Sequence, residues 1–98
     1  MTMYKVFEVD LDKDEIISDV ISDDLVSRQT TSVRDGRSLG FDEDMKYVMV
    51  EGSEEAVEKA KELFSEHDVS ESGQAKEIRE AIKEEDESAA EGIGTVFG

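Results

Sequence analysis

The chain has 98 residues, 27 of them acidic and 11 basic, for a formal net charge of −16 at pH 7. At this length folding buries roughly 60–68% of the surface that the unfolded chain exposes, which limits the protein to one modest core. The absence of cysteine excludes disulfides, thiolate metal sites and cysteine nucleophiles, and a single histidine, His67, excludes a histidine-rich zinc or iron site within one chain.

Met3 to Leu11 alternates so that Phe7, Val9 and Leu11 share one face, with Tyr4, Val6, Glu8 and Asp10 on the other, the pattern of a half-buried first strand. Asp12 followed by Glu15 has the form of a capping box. Ile16, Ile17, Val20 and Ile21 make two i,i+4 apolar pairs, which predicts a short amphipathic helix from about Lys13 to Ser22. Val26 to Arg34 is rich in Thr, Ser and Val and fits a strand at a sheet edge. Asp35-Gly36 then has the composition of a type I′ turn. Two continuations are open: Arg37 to Phe41 returns as a short strand, or Asp35 to Asp44 forms one long hairpin connection.

Met45 to Val50 carries Tyr47, Val48, Met49 and Val50 in succession and therefore reads as a central strand covered on both faces. Ser53 is placed to cap a helix whose first turn holds Glu54 and Glu55, where the helix dipole favours negative charge. Val57, Ala60 and Phe64, flanked by Ala56 and Leu63, form its apolar stripe. A break at Ser70 to Gly73 precedes a third helix from Gln74 to about Glu87, with a thin stripe of Ala75, Ile78, Ala81 and Ile82. Glutamates 84, 85 and 87 crowd its C-terminal end, where negative charge is unfavourable and fraying is expected. Residues 1–91 make one domain on this basis, and the tail Gly92 to Gly98 either docks as a strand or hangs free. The expected core is Phe7, Val9, Ile17, Val20, Val48, Val50, Val57, Ala60 and Phe64.

The expected fold class is α+β: a small two-layer sandwich with an antiparallel sheet of three to four strands and two to three helices. The stretch Lys46 to Glu66, KYVMVEGSEEAVEKAKELFSE, resembles the closing strand and helix of KH domains and of ferredoxin-like modules, including ligand-sensing ACT domains. The resemblance covers 21 residues and implies helices layered on an antiparallel sheet, in ferredoxin-like or KH-like topology. KH domains clamp a nucleic-acid backbone with a Gly-x-x-Gly loop between helices. Here the nearest pattern, Gly36-Arg-Ser-Leu-Gly40, is one residue longer and follows a strand.

Three groups of side chains are candidates for chemistry. Asp10, Asp12 and Asp14 match positions 1, 3 and 5 of a calcium loop, but Glu15 stands where the loop needs glycine and Ile21 where it needs a bidentate glutamate. Asp42 and Asp44, with Glu43 between them, form a second acidic cluster. Both clusters are weak candidates for a divalent cation such as calcium, and solvated surface is the plainer expectation. Arg28, Arg34 and Arg37 fall between Leu25 and Phe41 against one acid, Asp35, leaving that segment at +2 within a strongly negative chain. They suit a small anion or a partner's carboxylates, or else pair with the protein's own acids. His67, beside Asp68 at a helix end, lacks any nucleophile motif, and neither a phosphate loop nor a dinucleotide fingerprint is present, so no enzymatic activity is expected.

No apolar run reaches the ~18–20 residues of a membrane span, and Lys5 and Glu8 interrupt any signal-peptide core. A soluble, cytoplasmic protein is expected. Asparagine is absent and glutamine occurs twice, a depletion of thermolabile amides that fits a thermophile, with salt adaptation the other source of such acidity. The strong negative field favours a basic protein partner and disfavours nucleic acid and membrane. The expected function is a non-catalytic protein-interaction module that needs no cofactor; the runner-up is weak binding of calcium or of a small anionic ligand.

Overall fold

The computed structural model describes residues 2–85. The first strand, β1 (Thr2–Asp10), alternates as its side chains require, with Phe7 and Val9 buried on one face and Val6 on the other. It ends in a 3-10 turn, Leu11–Lys13, that leads into helix α1 (Glu15–Ile21). Strand β2 (Thr30–Asp35) is preceded by a second 3-10 turn, Val26–Arg28, and followed by a one-turn helix α2 (Gly36–Leu39). Strand β3 (Met45–Ser53) runs directly into helix α3 (Glu54–Glu66), where the Ser53 Oγ accepts the Ala56 N–H at 3.3 Å as the expected cap. The short strand β4 (Ser70–Glu71) precedes a fourth helix, α4, described over residues 75–85.

All strand pairs are antiparallel, in the order β2-β3-β1-β4. With α1 between β1 and β2, and α3 between β3 and β4, this is the βαββαβ connectivity of the ferredoxin-like fold, and it decides between the two topologies that the resemblance implied. The register Phe7↔Val48 and Lys5↔Val50 sets one face of the sheet against α1 and α3. All nine expected core residues lie in that layer, joined by Val26 and Val69. Phe7 and Phe64 meet there with ring centroids 4.5 Å apart, each burial worth roughly 1.5–3 kcal/mol. On the opposite face Val6, Tyr47 and Met49 are sealed by Ile78 and Ile82 of α4, with Leu39 and Phe41 from the α2 region at the margin. The helix thus adds cover to the second sheet face, as the doubly apolar β3 requires.

Five local expectations are corrected. Val26 to Arg28, expected as the start of the edge strand, form the second 3-10 turn, with Val26 buried in the core, and the strand begins only at Thr30. Asp12 does not cap: it lies within the 3-10 turn, and α1 starts three residues later with Asp14 at its N-cap and no side-chain bond there. Leu11 is 40% exposed, because the strand ends at Asp10 and the tighter turn rotates its side chain off the core face. Gly36 begins a helical turn instead of closing a type I′ hairpin, so the connection after β2 is the long alternative, with Gly40 at φ 82° ending α2. Ser70 and Glu71, expected as part of a break, pair with Glu8 and Phe7 as β4. The expected domain boundary near residue 91, the last turn of the third expected helix and the tail 92–98 lie outside the described residues.

Candidate functional site

The register of the two central strands places the two acidic clusters side by side. Asp10, the last residue of β1, pairs with Met45, the first of β3, and the Leu11 N–H donates to the Asp44 carbonyl at 3.1 Å. One end of the sheet therefore carries Asp10, Asp12 and Asp14 from one strand end, and Asp42 and Asp44 from the connection entering the next. Asp10, Leu11, Asp12 and Asp44 line a shallow concavity of about 330 Å³ there.

The carboxylates at this end are spread, each toward a different neighbour. Asp14 Oδ2 lies 3.3 Å from Lys46 Nζ, beneath the start of α1, and Asp42 Oδ1 accepts the Asp44 N–H at 2.9 Å to hold the loop. Asp10, Asp12 and Asp44 are exposed around Leu11. Among the described residues, no group of three or more His, Asp or Glu side chains is arranged to hold a metal ion. Leu11 is the one large apolar side chain classed as exposed among those residues. The alternation of β1 puts it on the face of Phe7 and Val9 because the pattern extends one position past the end of the strand. The available signal was its place between Asp10 and Asp12, two residues that favour a chain end over a strand interior.

The three arginines are not brought together. Arg28 and Arg37 lie beyond opposite ends of β2, which at ~3.3 Å per residue leaves roughly 20 Å between them. Arg28 pairs with Asp24 at 3.5 Å, both side chains well exposed. Arg34 reaches Glu85 of α4 at 3.2 Å and donates to the Val33 carbonyl. Arg28 and Arg34 hold their own surroundings in place, Arg37 is exposed, and the three do not converge on one anion.

A second ion-pair cluster went unnoticed in the sequence. Glu51, on the α4 face of β3, receives Arg79 at 3.1 Å and Lys83 at 3.5 Å, while the Arg79 guanidinium lies 4.8 Å from the centre of the Tyr4 ring. The hydrogen bond from Arg79 holds the Glu51 carboxyl below the usual glutamate range, with Lys83 acting in the same direction against the opposing effect of burial. At the other edge Lys5 donates to Glu71 at 2.9 Å and Lys61 approaches at 3.4 Å, lowering that carboxyl likewise. Burial pushes the Tyr47 hydroxyl up, helped by the nearby Glu8.

His67 closes α3 beside Asp68, which adopts φ 60° and turns Val69 back into the core. It borders a broad depression that also receives Lys13, Glu15, Ile16, Asp19 and Glu66; no hydroxyl is among these lining residues. No family model, curated protein or solved structure matches the chain. Among the described residues, no helix is long and apolar enough to cross a membrane.

Proposed function

We propose that the protein is a non-catalytic interaction module that recognises a basic protein segment at its acidic end. The observation that carries this reading is Leu11, an exposed apolar side chain surrounded by Asp10, Asp12 and Asp44. Protein interfaces commonly place an apolar anchor within a polar rim, and a rim of one sign selects the opposite charge and speeds encounter. Spread carboxylates suit several cationic side chains along a peptide better than one compact cation, which needs six to eight oxygens within about 2.6 Å. The reading includes a cytoplasmic location, in keeping with a cysteine-free composition.

The test is an amide NMR titration of the full chain with a lysine- and arginine-rich peptide containing one leucine, beside parallel titrations with calcium, magnesium, phosphate and nucleotides. Saturable shifts at residues 10–14 and 42–45 with the peptide are the expected result. Leu11→Ser should weaken that binding about tenfold while leaving stability within about 0.5 kcal/mol, because an exposed side chain contributes little to the fold. Calcium should produce millimolar effects at best, in the same residues and without movement of α3. Micromolar calcium binding, with the peptide inert, would reverse the order of the two functions.

A further inference from the structure

The sheet has two edges, and the chain treats them differently. The outer edge formed by β4 is two residues long and carries Glu71, already engaged by Lys5 and Lys61. Short strands and charged side chains are the usual protection of an edge against further pairing. The edge formed by β2 is six residues long, and among the described residues β2 pairs only with β3. It contains no proline or lysine. Gln29 to Val33 is the longest uncharged run among the described residues of a chain that is 39% charged. It also lies in the segment of net charge +2, whose Arg28 and Arg34 are offset by Asp24 and Glu85, so this edge opposes less net charge to a second copy than the acidic remainder of the chain does.

We propose that β2 is a self-association edge, on which a second copy of this chain pairs antiparallel about a two-fold axis to make one continuous eight-stranded sheet. The register follows from the strand itself. Asp35 is at its limit, because its carbonyl accepts the Ser38 Oγ at 2.9 Å and the chain turns into α2 at Gly36. The part left for pairing is Thr30 to Arg34, whose midpoint is Ser32; within it the Val33 carbonyl accepts the chain's own Arg34 guanidinium at 3.0 Å, a side-chain contact that pairing must share or displace. In a continuous sheet directly opposed residues share a face, so the axis must pass through a residue and not between two. Centred on Ser32, the pairing sets Ser32 against Ser32 and Thr30 against Arg34 on the face that α4 covers. It sets Thr31 against Val33 on the face of α1 and α3, the faces being fixed by the partners Met49 and Tyr47 on one side and Val50 and Val48 on the other. No like charges are opposed in this register. Centring on Arg34 would oppose the two guanidinium groups. Val33, half-buried in the single chain, gains cover from the second copy's Thr31. This proposal is independent of the acidic-end function, since β2 and Leu11 belong to different parts of the sheet.

The natural absence of cysteine makes the register directly testable. Ser32→Cys places two thiols on opposed residues whose Cα atoms lie 4.5–5.5 Å apart in any antiparallel pair, within disulfide range. Under mild oxidation Ser32→Cys is expected to give a disulfide-linked dimer, and Thr30→Cys, opposed to Arg34, to remain unlinked. Sedimentation of the native chain at physiological salt should show a dimer that tightens as salt is raised, because screening weakens repulsion between two acidic bodies. Ser32→Lys, which opposes two ammonium groups on an edge where a lone lysine is well tolerated, should weaken dimerisation at least about tenfold without changing the circular dichroism spectrum. A native chain that stays monomeric at several hundred micromolar, or a dimer that neither Ser32→Lys nor Ser32→Cys affects, would overturn the proposal.

Discussion

Gly36 illustrates how a single missing side chain shapes the connection between β2 and β3. A β-carbon there would run into the Asp42 carbonyl and lie 2.9 Å from the Tyr47 ring, and Phe41 N–H donates to the Gly36 carbonyl at 2.8 Å to close the same loop. The obstructing atoms are backbone and a buried ring, so neither yields cheaply. Gly36→Ala is expected to destabilise the protein by about 2 kcal/mol, measured as a lower urea midpoint with unchanged slope, even though alanine is otherwise the better helix former. The sequence marks Gly36 as special but assigns the wrong reason. Asp-Gly is a hairpin signal, whereas the glycine serves close approach and the positive φ belongs to Gly40. Asp12 shows the same limit, because Asp10, Asp12 and Asp14 offer three successive caps and the choice among them depends on where β1 stops pairing with β3.

At the scale of elements, the strongly patterned segments were legible and the weakly patterned ones were not. β3 and α3 carry continuous or 3.6-period apolar runs, and Val48, Val50, Val57, Ala60 and Phe64 are all buried as their spacing requires. β4 has no apolar residue of its own; it exists because Val69 anchors the chain in the core and the Ser72 N–H then reaches the Val6 carbonyl at 2.7 Å. The acidic end was legible as two clusters, but their meeting depends on the β1–β3 register, which no local pattern encodes. α4 has only a thin stripe, Ile78 and Ile82 with Ala75, and its docking draws on Glu51, which accepts from both Arg79 and Lys83. A carboxyl held below its unfolded value contributes stability that is complete above the ordinary glutamate range near pH ~4.3, and that is lost as pH falls through its lowered folded value. Glu51→Gln should therefore be about 1 kcal/mol less stable than the native chain at pH 7, and the gap should close as the pH falls below that folded value. Urea unfolding of both proteins at several pH values tests this. The difference between the two curves is the quantity of interest, because acid also relieves the general repulsion in both. A gap that persists unchanged at pH 2 would assign the effect to packing of the amide and not to charge.

For the molecule as a whole, the −16 charge is spread over a body with a small core. The ion pairs described above consume few of its acids, and most of those side chains are partly exposed and individually worth little. Net repulsion should dominate the salt response. The melting temperature of the Ser32→Lys chain, measured at low protein concentration to keep the contribution of dimerisation small, is expected to rise by several degrees between low and physiological salt. A fall would mean that the attractive pairs prevail. The order of the strands has a different consequence, for the growing chain on the ribosome. β1 is made first but sits between β3 and β4, so neither of its hydrogen-bonding edges has a partner until residues 45–53 emerge. At translation rates of roughly 5–20 residues per second that interval is on the order of 2–9 seconds, long compared with the microseconds in which a hairpin forms. During it the only helix available to shelter Phe7 and Val9 is α1, through Ile17 and Val20. That short helix is therefore placed to act as a guard for the nascent strand before it becomes part of the finished core.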